Sequence, residues 1–304
     1  MRLSTSTNIA SFLPDSREKN AFDFCVELCA KAGYKVLDIN LCEAMNPNSR
    51  MRTDDWENYI KDISLLGKRW GVEFTQSHLP YYDVFAEKDE GKIKLMEELV
   101  RRSIIASGEL GVKWAVTHPL TYYDAGPHTS IIQKKNIDYF LPHLETAKKA
   151  GVGLAIENEA EYQGQHMQRM YCSSAYELCE LVDALEDATS SSGNSLVGIC
   201  YDFGHANLCG GFHRENLRLI GRRLKATHLQ DNFFRSDDHL MPFFGKTDWK
   251  DAMASLAEIG YDAELCYEIQ EFGRYLPNEL KHLVVEMSLE IGNYLISLYK
   301  EALV

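Results

Sequence analysis

One short unit recurs along the chain and constrains its fold more than any other feature. Five segments begin with a glycine suited to ending a helix, continue with Val or Tyr, run through a short strand-like stretch and finish in polar residues. They are KAGYKVLDIN (31–40), WGVEFTQSHLP (70–80), LGVKWAVTHPL (110–120), KAGVGLAIENEA (149–160) and IGYDAELCYEIQ (259–270). The interval from the glycine to the polar ending is nearly constant, with seven residues to His78 and His118, six to Glu157 and eight to Glu268. The chain therefore repeats one structural unit.

Segments with apolar residues three and four positions apart, typical of helices, lie between these strands at 17–33, 92–111, 136–151 and 249–260. Further strand-like runs at 3–7, 196–203 and 224–229 give eight predicted strands, near residues 3, 36, 73, 113, 153, 197, 225 and 264, before a last helix at about 278–302. Eight alternating units predict an α/β fold, a closed (β/α)₈ TIM barrel, and disfavour an open doubly wound sheet. Neither GxGxxG nor GxxxxGK[ST] occurs in the sequence. A length of 304 residues suits a single barrel domain over 1–304.

The composition limits the classes of partner that the protein is expected to bind. The 45 acidic and 32 basic residues give a net charge of −13, which disfavours nucleic acid because binding to it depends on Lys and Arg. The sequence shows no signal peptide and no stretch of about 18 apolar residues, so we expect a cytoplasmic protein without membrane association. Its eight cysteines lie mostly in apolar segments without zinc-knuckle spacing, and are predicted to be reduced core residues.

The loops after the strands of such a barrel gather on one face, where the polar endings are predicted to meet. The residues at or just past the strand ends are His78, His118, Glu157, Asp202, His205, His228 and Glu268, and Asp237 and His239 follow the seventh strand. Converging carboxylates and imidazoles are costly to desolvate unless a cation holds them, so a divalent metal is predicted.

Four of these residues, Glu157, Asp202, His228 and Glu268, offer three oxygen donors and one nitrogen. Such a mixed site suits Mn²⁺ or Zn²⁺, with Mg²⁺ and Co²⁺ as alternatives. The other five, His78, His118, His205, Asp237 and His239, would orient those ligands or bind further metals. Any one of these residues alone also suits an ordinary loop or helix cap, and only their shared register argues for a site.

The remaining polar residues of interest lie outside this register or at its edge. No function is predicted for His128, His143, His166, His213 and His282, which fall in predicted helices or loops. Asp38 and Asn40 end the second strand, where hydrogen bonds at the barrel rim would account for them, so they are left out of the predicted metal set.

The motifs at the strand ends are SHLPYY, THP, AIEN, YDFGHAN, HLQDN, DDH followed by GKTDW, and YEI. Together they resemble the xylose-isomerase-like TIM barrels, a superfamily of sugar (phosphate) isomerases and epimerases, inosose dehydratases and apurinic-site endonucleases. The resemblance extends from the second strand to the eighth. It implies a sugar or sugar-phosphate substrate and allows a homo-oligomer.

In the epimerase branch, the resemblance places the metal on Glu157, Asp202, His228 and Glu268. Glu157 and Glu268 would then be the catalytic pair, moving a proton through an enediolate, while His78, His118, His205 and Arg235 would bind substrate. Two departures stand out. The ketose 3-epimerases carry a second glutamate where this chain has Gln163, and Arg235 matches their arginine only loosely. The paired lysine motif of xylose isomerase is missing, so a hydride shift is not supported.

Two alternatives stay open. The endonuclease branch binds three zinc ions through nine ligands, and each has a counterpart in the nine residues above. Net charge and the lack of a Lys/Arg-rich loop argue against DNA as substrate. The other alternative is an inosose-type dehydratase or a non-catalytic sugar-binding barrel, although a complete acid and base pair makes the non-catalytic form less favoured.

Overall fold

A computed structural model describes residues 1–10, 21–126, 129–162, 168–189 and 195–303. Eight parallel strands form the centre: β1 (Arg2–Thr5), β2 (Val36–Asn40), β3 (Glu73–His78), β4 (Trp114–Thr117), β5 (Gly153–Glu157), β6 (Val197–Asp202), β7 (Leu224–His228) and β8 (Glu264–Tyr267). Strands β2 to β7 pair in sequence order, and β1 pairs with β8. Bridges between Ser6 and Asp38 and between Leu229 and Tyr267 join the two groups into a ring. The predicted TIM barrel is confirmed, with all eight strands where the sequence indicated.

Helices surround the barrel in the order α1 (Ala21–Ala32), α2 (Trp56–Trp70), α3 (Glu90–Glu109), α4 (Thr129–Ala150), α5 (Ala175–Thr189), α6 (Phe203–Leu208), α7 (His213–Ile220), α8 (Trp249–Glu258) and α9 (Lys281–Ala302). Short 3₁₀ turns lie at Leu41–Met45, Arg50–Arg52, Tyr123–Ala125, Gly221–Arg223 and Asn278–Leu280, and a small hairpin pairs Glu161–Tyr162 with Gln168–Arg169. Within the described residues, no helix is long and apolar enough to span a membrane.

The glycine in the repeated unit ends one helix and sets the start of the next strand. Gly71 has a φ of 64°, in the left-handed region that favours glycine. The following amide, of Val72, donates to the carbonyl of Gly67 at 2.9 Å, which closes the last turn of α2. Val152 donates to Ala147 in the same way at 3.1 Å, at the end of α4. Because each strand begins one or two residues later, its polar ending falls at a fixed distance from the glycine.

The core has two parts. A large apolar cluster fills the space between strands and helices, and a small one of Val116, Ala155, Cys200 and Ala226 lies apart from it on four neighbouring strands. The structure has no disulfide among its eight cysteines, and six of them are buried. Cys42 and Cys209 are partly exposed, which departs from the predicted core placement because both lie in connections that follow strands.

Candidate functional site

The ends of parallel strands bring the polar residues together. His78, Glu157, Asp202 and His228 are the last residues of β3, β5, β6 and β7. His118 and Glu268 come one residue after β4 and β8, His205 lies in α6, and Asp237 and His239 lie in the connection from β7 to α8. Since all eight strands run in one direction, these residues share the carboxyl-terminal face of the barrel.

Glu157, Asp202, His228 and Glu268 form the central group. Each offers one ligand atom, and the four atoms lie within 4.8 Å of one another. Nδ1 of His228 is 3.1 Å from Oε1 of Glu157 and 3.4 Å from Oε2 of Glu268. All four side chains are buried, so the group has the compactness and the mixed oxygen and nitrogen donors that suit one divalent cation.

Two more groups of possible ligands flank the central one. Nε2 of His78 and Nε2 of His118 are each 3.6 Å from Oε2 of Glu157. On the other side, Oδ2 of Asp237 is 3.4 Å from Nε2 of His205 and 2.9 Å from Nε2 of His239. The structure thus brings together all nine residues singled out in the sequence, while their roles stay predictions.

Arg235, which the resemblance suggested as a substrate contact, lies differently. It is exposed in the connection from β7 to α8 and, within the described part of the chain, forms no ion pair with the nine clustered residues. Its substrate-binding role is untouched by this geometry and stays a prediction. Gln163, His128 and His166 lie outside the described residues.

The electrostatics of the cluster favour positive charge at its centre. Burial raises the pKa of Asp202 to about 7, an effect that His205 opposes and Glu157 reinforces. Burial also disfavours charge on Glu157, but His228 and His118 outweigh it and lower the pKa of that carboxyl well below its usual range. For His239, burial is outweighed by the hydrogen bond to Asp237, and its pKa rises to about 10.

Two buried oxygens fit a cation directly. Oε2 of Glu157 and Oδ2 of Asp202 are fully buried and have no hydrogen-bond partner among the described residues. A buried carboxylate oxygen without a partner is costly, so a metal ion that accepts its electron pair would remove the cost. The donor set and the two unpaired oxygens therefore fit a divalent metal.

Several neighbours that hold the cluster in shape were not singled out in the sequence. Asn158 accepts the amide hydrogen of Asp202 at 2.7 Å and donates to its carbonyl at 3.0 Å. Gln230 donates to Oδ1 of Asp202 at 3.3 Å and to Oδ1 of Asp237 at 2.6 Å. Gly204 is required beside it, because a Cβ there would lie 1.9 Å from the Gln230 amide carbon. The signal was present in the motifs AIEN, YDFGHAN and HLQDN, which contain these residues.

Asp38 corrects an expectation. The sequence suggested a hydrogen bond at the barrel rim, but Asp38 is fully buried, and neither of its oxygens has a hydrogen-bond partner among the described residues. Its Oδ2 is 3.9 Å from Nε2 of His228, on the side of that ring opposite Glu157. This distance places Asp38 at the site.

The fold agrees with what sequence comparison finds. The family model of the xylose isomerase-like TIM barrel matches residues 26–284, and the chain belongs to that family. An uncharacterised protein of Methanocaldococcus jannaschii is 28% identical over 213 residues, covering 69% of this chain and 68% of the relative. An uncharacterised protein of Sinorhizobium fredii is 39% identical over 90 residues, and this alignment spans only 29% of that protein's length.

Solved structures share the architecture over the whole chain. A D-tagatose 3-epimerase-like protein matches with a TM-score of 0.73 and 21% identity, and both chains are covered completely. A D-psicose 3-epimerase, solved in the presence of D-fructose, matches with a TM-score of 0.72 and 13% identity over 97% of this chain and 99% of the other. At such identities the likeness establishes the fold.

Proposed function

We propose that the protein is a metal-dependent isomerase or epimerase of a sugar or sugar phosphate, acting by proton transfer. One observation carries the proposal. The carboxylates of Glu157 and Glu268 come from β5 and β8, three strands apart around the ring, yet belong to one group with Asp202 and His228. Two carboxylates that approach one small space from different sides can serve opposite faces of a single carbon atom. The proteins of similar structure include a D-psicose 3-epimerase, which supports the same chemistry.

The metal would be held by Glu157, Asp202, His228 and Glu268, with Mn²⁺ or Zn²⁺ favoured by the mixed donors. When bound, a divalent cation supplies Lewis-acid polarisation of a substrate carbonyl. Glu157 and Glu268 would then exchange a proton with the carbon next to that carbonyl, one removing it and the other returning it, with an enediolate of the sugar between the two steps.

The surrounding histidines would bind and orient the sugar. His78, His118 and His205 each have a ring nitrogen within 3.6 Å of a Glu157 oxygen, so they line the same small space. An imidazole can donate to or accept from a substrate hydroxyl. Arg235, exposed in the β7–α8 connection, would reach the substrate only from the loop above.

The face around the cluster suits carbohydrate better than a phosphate backbone. Among the described residues, seven of the nine exposed aromatic side chains lie in connections that follow the strands: Tyr81, Tyr123, Phe212, Phe233, Phe243, Phe244 and Tyr275. Tyr81 packs edge-on against His118 with ring centroids 4.9 Å apart, so the aromatic surface reaches the cluster. Three arginines of these connections, Arg50, Arg169 and Arg274, are already paired with carboxylates. DNA binding would need such cations to be free.

Solvent isotope exchange tests the proposed chemistry. In deuterated water, turnover of a ketose substrate should place deuterium on the carbon next to the carbonyl. Glu157→Gln and Glu268→Gln should each lower the rate by about two orders of magnitude or more, and Glu279→Gln, in the exposed turn before α9, should not. Product without solvent deuterium, or full activity in both site variants, would contradict proton transfer by this pair.

A second candidate rests on the two flanking groups. His78 and His118 with Glu157, and His205 with Asp237 and His239, each form a further set of converging ligands beside the central one. Three adjacent groups suit a three-zinc phosphoesterase acting on abasic DNA, the alternative that the sequence left open. The net charge of −13 argues against it.

Metal content separates the two candidates. About one metal ion per chain, with no cleavage of an abasic duplex, is expected for the sugar enzyme. Three zinc ions per chain together with metal-dependent cleavage at physiological salt would reverse the ranking. Asp237→Asn should then abolish cleavage, since Asp237 is the carboxylate of the group outside the central four.

A further inference from the structure

A carboxylate outside the predicted ligand set lies directly behind one of the clustered histidines. Glu159 follows β5 by two residues and is 4% exposed. Its Oε1 is 3.2 Å from Nδ1 of His118. We infer that Glu159 is a positioning residue, which accepts the Nδ1 hydrogen of His118 and thereby directs the free electron pair of Nε2 towards the Glu157 carboxylate.

The opposite side of the ring shows what this orientation achieves. Nε2 of His118 is 3.6 Å from Oε2 of Glu157, which is longer than a hydrogen bond. That oxygen is one of the two in the cluster that are buried without a hydrogen-bond partner among the described residues. With the hydrogen fixed on Nδ1, His118 and Glu157 present two electron-pair donors to one point. A cation or a substrate hydroxyl hydrogen is what such a pair binds.

His78 repeats the arrangement from the neighbouring strand. Its Nδ1 is 2.9 Å from the carbonyl oxygen of Leu79, and its Nε2 is 3.6 Å from the same Glu157 oxygen. The two Nε2 atoms are 3.2 Å apart. The backbone carbonyl of Leu79 accepts the Nδ1 hydrogen of His78, as the Glu159 carboxylate accepts that of His118. Both rings thus have an outer acceptor at Nδ1 and converge through Nε2.

The backbone of Glu159 is held by hydrogen bonds to residues of two other segments. Its amide donates to the carbonyl of Cys172 at 3.2 Å, and its own carbonyl accepts from Sγ of Cys209 at 3.7 Å. A carboxylate behind an imidazole sets the ring orientation and tautomer and strengthens the ring as an electron-pair donor. Loss of such an outer partner typically weakens metal binding about 10- to 100-fold.

The test uses the full-length protein and two variants. Glu159→Leu removes the acceptor, and Glu159→Gln keeps an oxygen acceptor but loses the charge. Long-range ¹H–¹⁵N spectra of the metal-free protein, at a pH where the ring is neutral, report which nitrogen of His118 carries hydrogen. We expect Nδ1 in the wild type and in Glu159→Gln, and a mixture of both tautomers in Glu159→Leu. Zn²⁺ held by the flanking group of His78, His118 and Glu157, titrated against a chromophoric chelator, should show an affinity loss of about 10- to 100-fold in Glu159→Leu and a smaller one in Glu159→Gln.

Glu177→Gln is the matched control. Glu177 is buried in α5 near the same connection, but its carboxylate pairs with Arg169 at 2.7 Å and does not face a histidine of the cluster in the described structure. This variant should leave both the His118 tautomer and Zn²⁺ binding unchanged. An unchanged tautomer in Glu159→Leu, or an equal effect in Glu177→Gln, would overturn the inference. The tautomer measurement depends on no metal, whereas the Zn²⁺ measurement rests on the second candidate function, in which His118 is a ligand, so failure of the inference and failure of a proposed function are recognised separately.

Discussion

The charge and the hydrogen bonds of each histidine that the structure describes depend on the atoms on the two sides of its ring. The five clustered histidines lie among carboxylates, whereas His213 is buried away from them. Its Nδ1 is 3.1 Å from the hydroxyl of Tyr201, and its Nε2 is 3.0 Å from Oδ1 of Asn207. A hydroxyl that donates to one nitrogen and an amide oxygen that accepts from the other fit a neutral ring. No function is predicted for His213 from the sequence, and the structure places it in such packing.

The pH dependence of stability should reveal this neutral ring. Burial lowers the pKa of His213 to about 4, from an ordinary value of 6.5. Between these values the unfolded chain binds a proton that the folded protein does not, so stability falls as pH falls through this window. From pH 6.5 to pH 5 the loss from this group is about 2 kcal/mol. Urea unfolding at both pH values should show a weaker pH dependence in His213→Gln. Parallel pH profiles for the two proteins would contradict the prediction.

At the scale of elements, the connection from β7 to α8 is the most constrained part of the site. Phe234, His239 and Phe243 have positive φ values of 63°, 45° and 74°, which side chains other than glycine rarely adopt. Each such residue costs on the order of 1–3 kcal/mol and persists only where surrounding contacts enforce it. Asp231 supplies such contacts around Phe243. Its buried carboxylate accepts from Oγ1 of Thr247 at 2.7 Å, Nε1 of Trp249 at 2.9 Å and the amide of Phe243 at 3.0 Å.

Removing this anchor should release the connection. Asp231→Leu leaves several buried donors without an acceptor, and we expect it to lower the free energy of unfolding by about 3 kcal/mol or more. Because Asp237 and His239 lie in the same connection, any metal that these two residues hold together with His205 should be lost before metal at the central group. Denaturant unfolding and metal analysis measure the two effects. Asp238→Asn, a less buried carboxylate that accepts from Ser236, is the control and should change neither.

The elements also show which features of the site could be predicted from the sequence. The repeated glycine fixed where strands begin, so the placement of His78, His118, Glu157 and Glu268 followed from local chain geometry. The approach of Asp38 to His228 did not, because the two residues lie on β2 and β7, which are far apart along the chain. The role of Asp231 as an anchor depends on partners 12 to 18 residues away, which only the folded connection brings together.

At the scale of the whole molecule, the candidate site is built from residues of most strands of the ring. The nine clustered residues come from the ends of β3 to β8 and their connections, so strands far apart in sequence contribute to one small volume. The strands that close the ring, β1 and β8, are 258 residues or more apart along the chain, and their pairing includes that of Leu3 with Leu265. Such a set of ligands exists only in the folded state. A cation bound there should stabilise the entire barrel.

This coupling gives a prediction for thermal unfolding. A ligand that binds only the folded state stabilises it by about 2.7 kcal/mol when its concentration is 100 times its dissociation constant. We therefore expect EDTA to lower the unfolding temperature by several degrees, and Mn²⁺ or Zn²⁺ to restore it as the metal concentration rises. The shift should vanish in Asp202→Asn, which lacks one of the four central carboxylate and imidazole ligands, and should persist in Asp251→Asn on α8. An unfolding temperature that is the same in EDTA and in excess metal would mean that the converging carboxylates of Glu157, Asp202 and Glu268 balance their charge through the histidines alone.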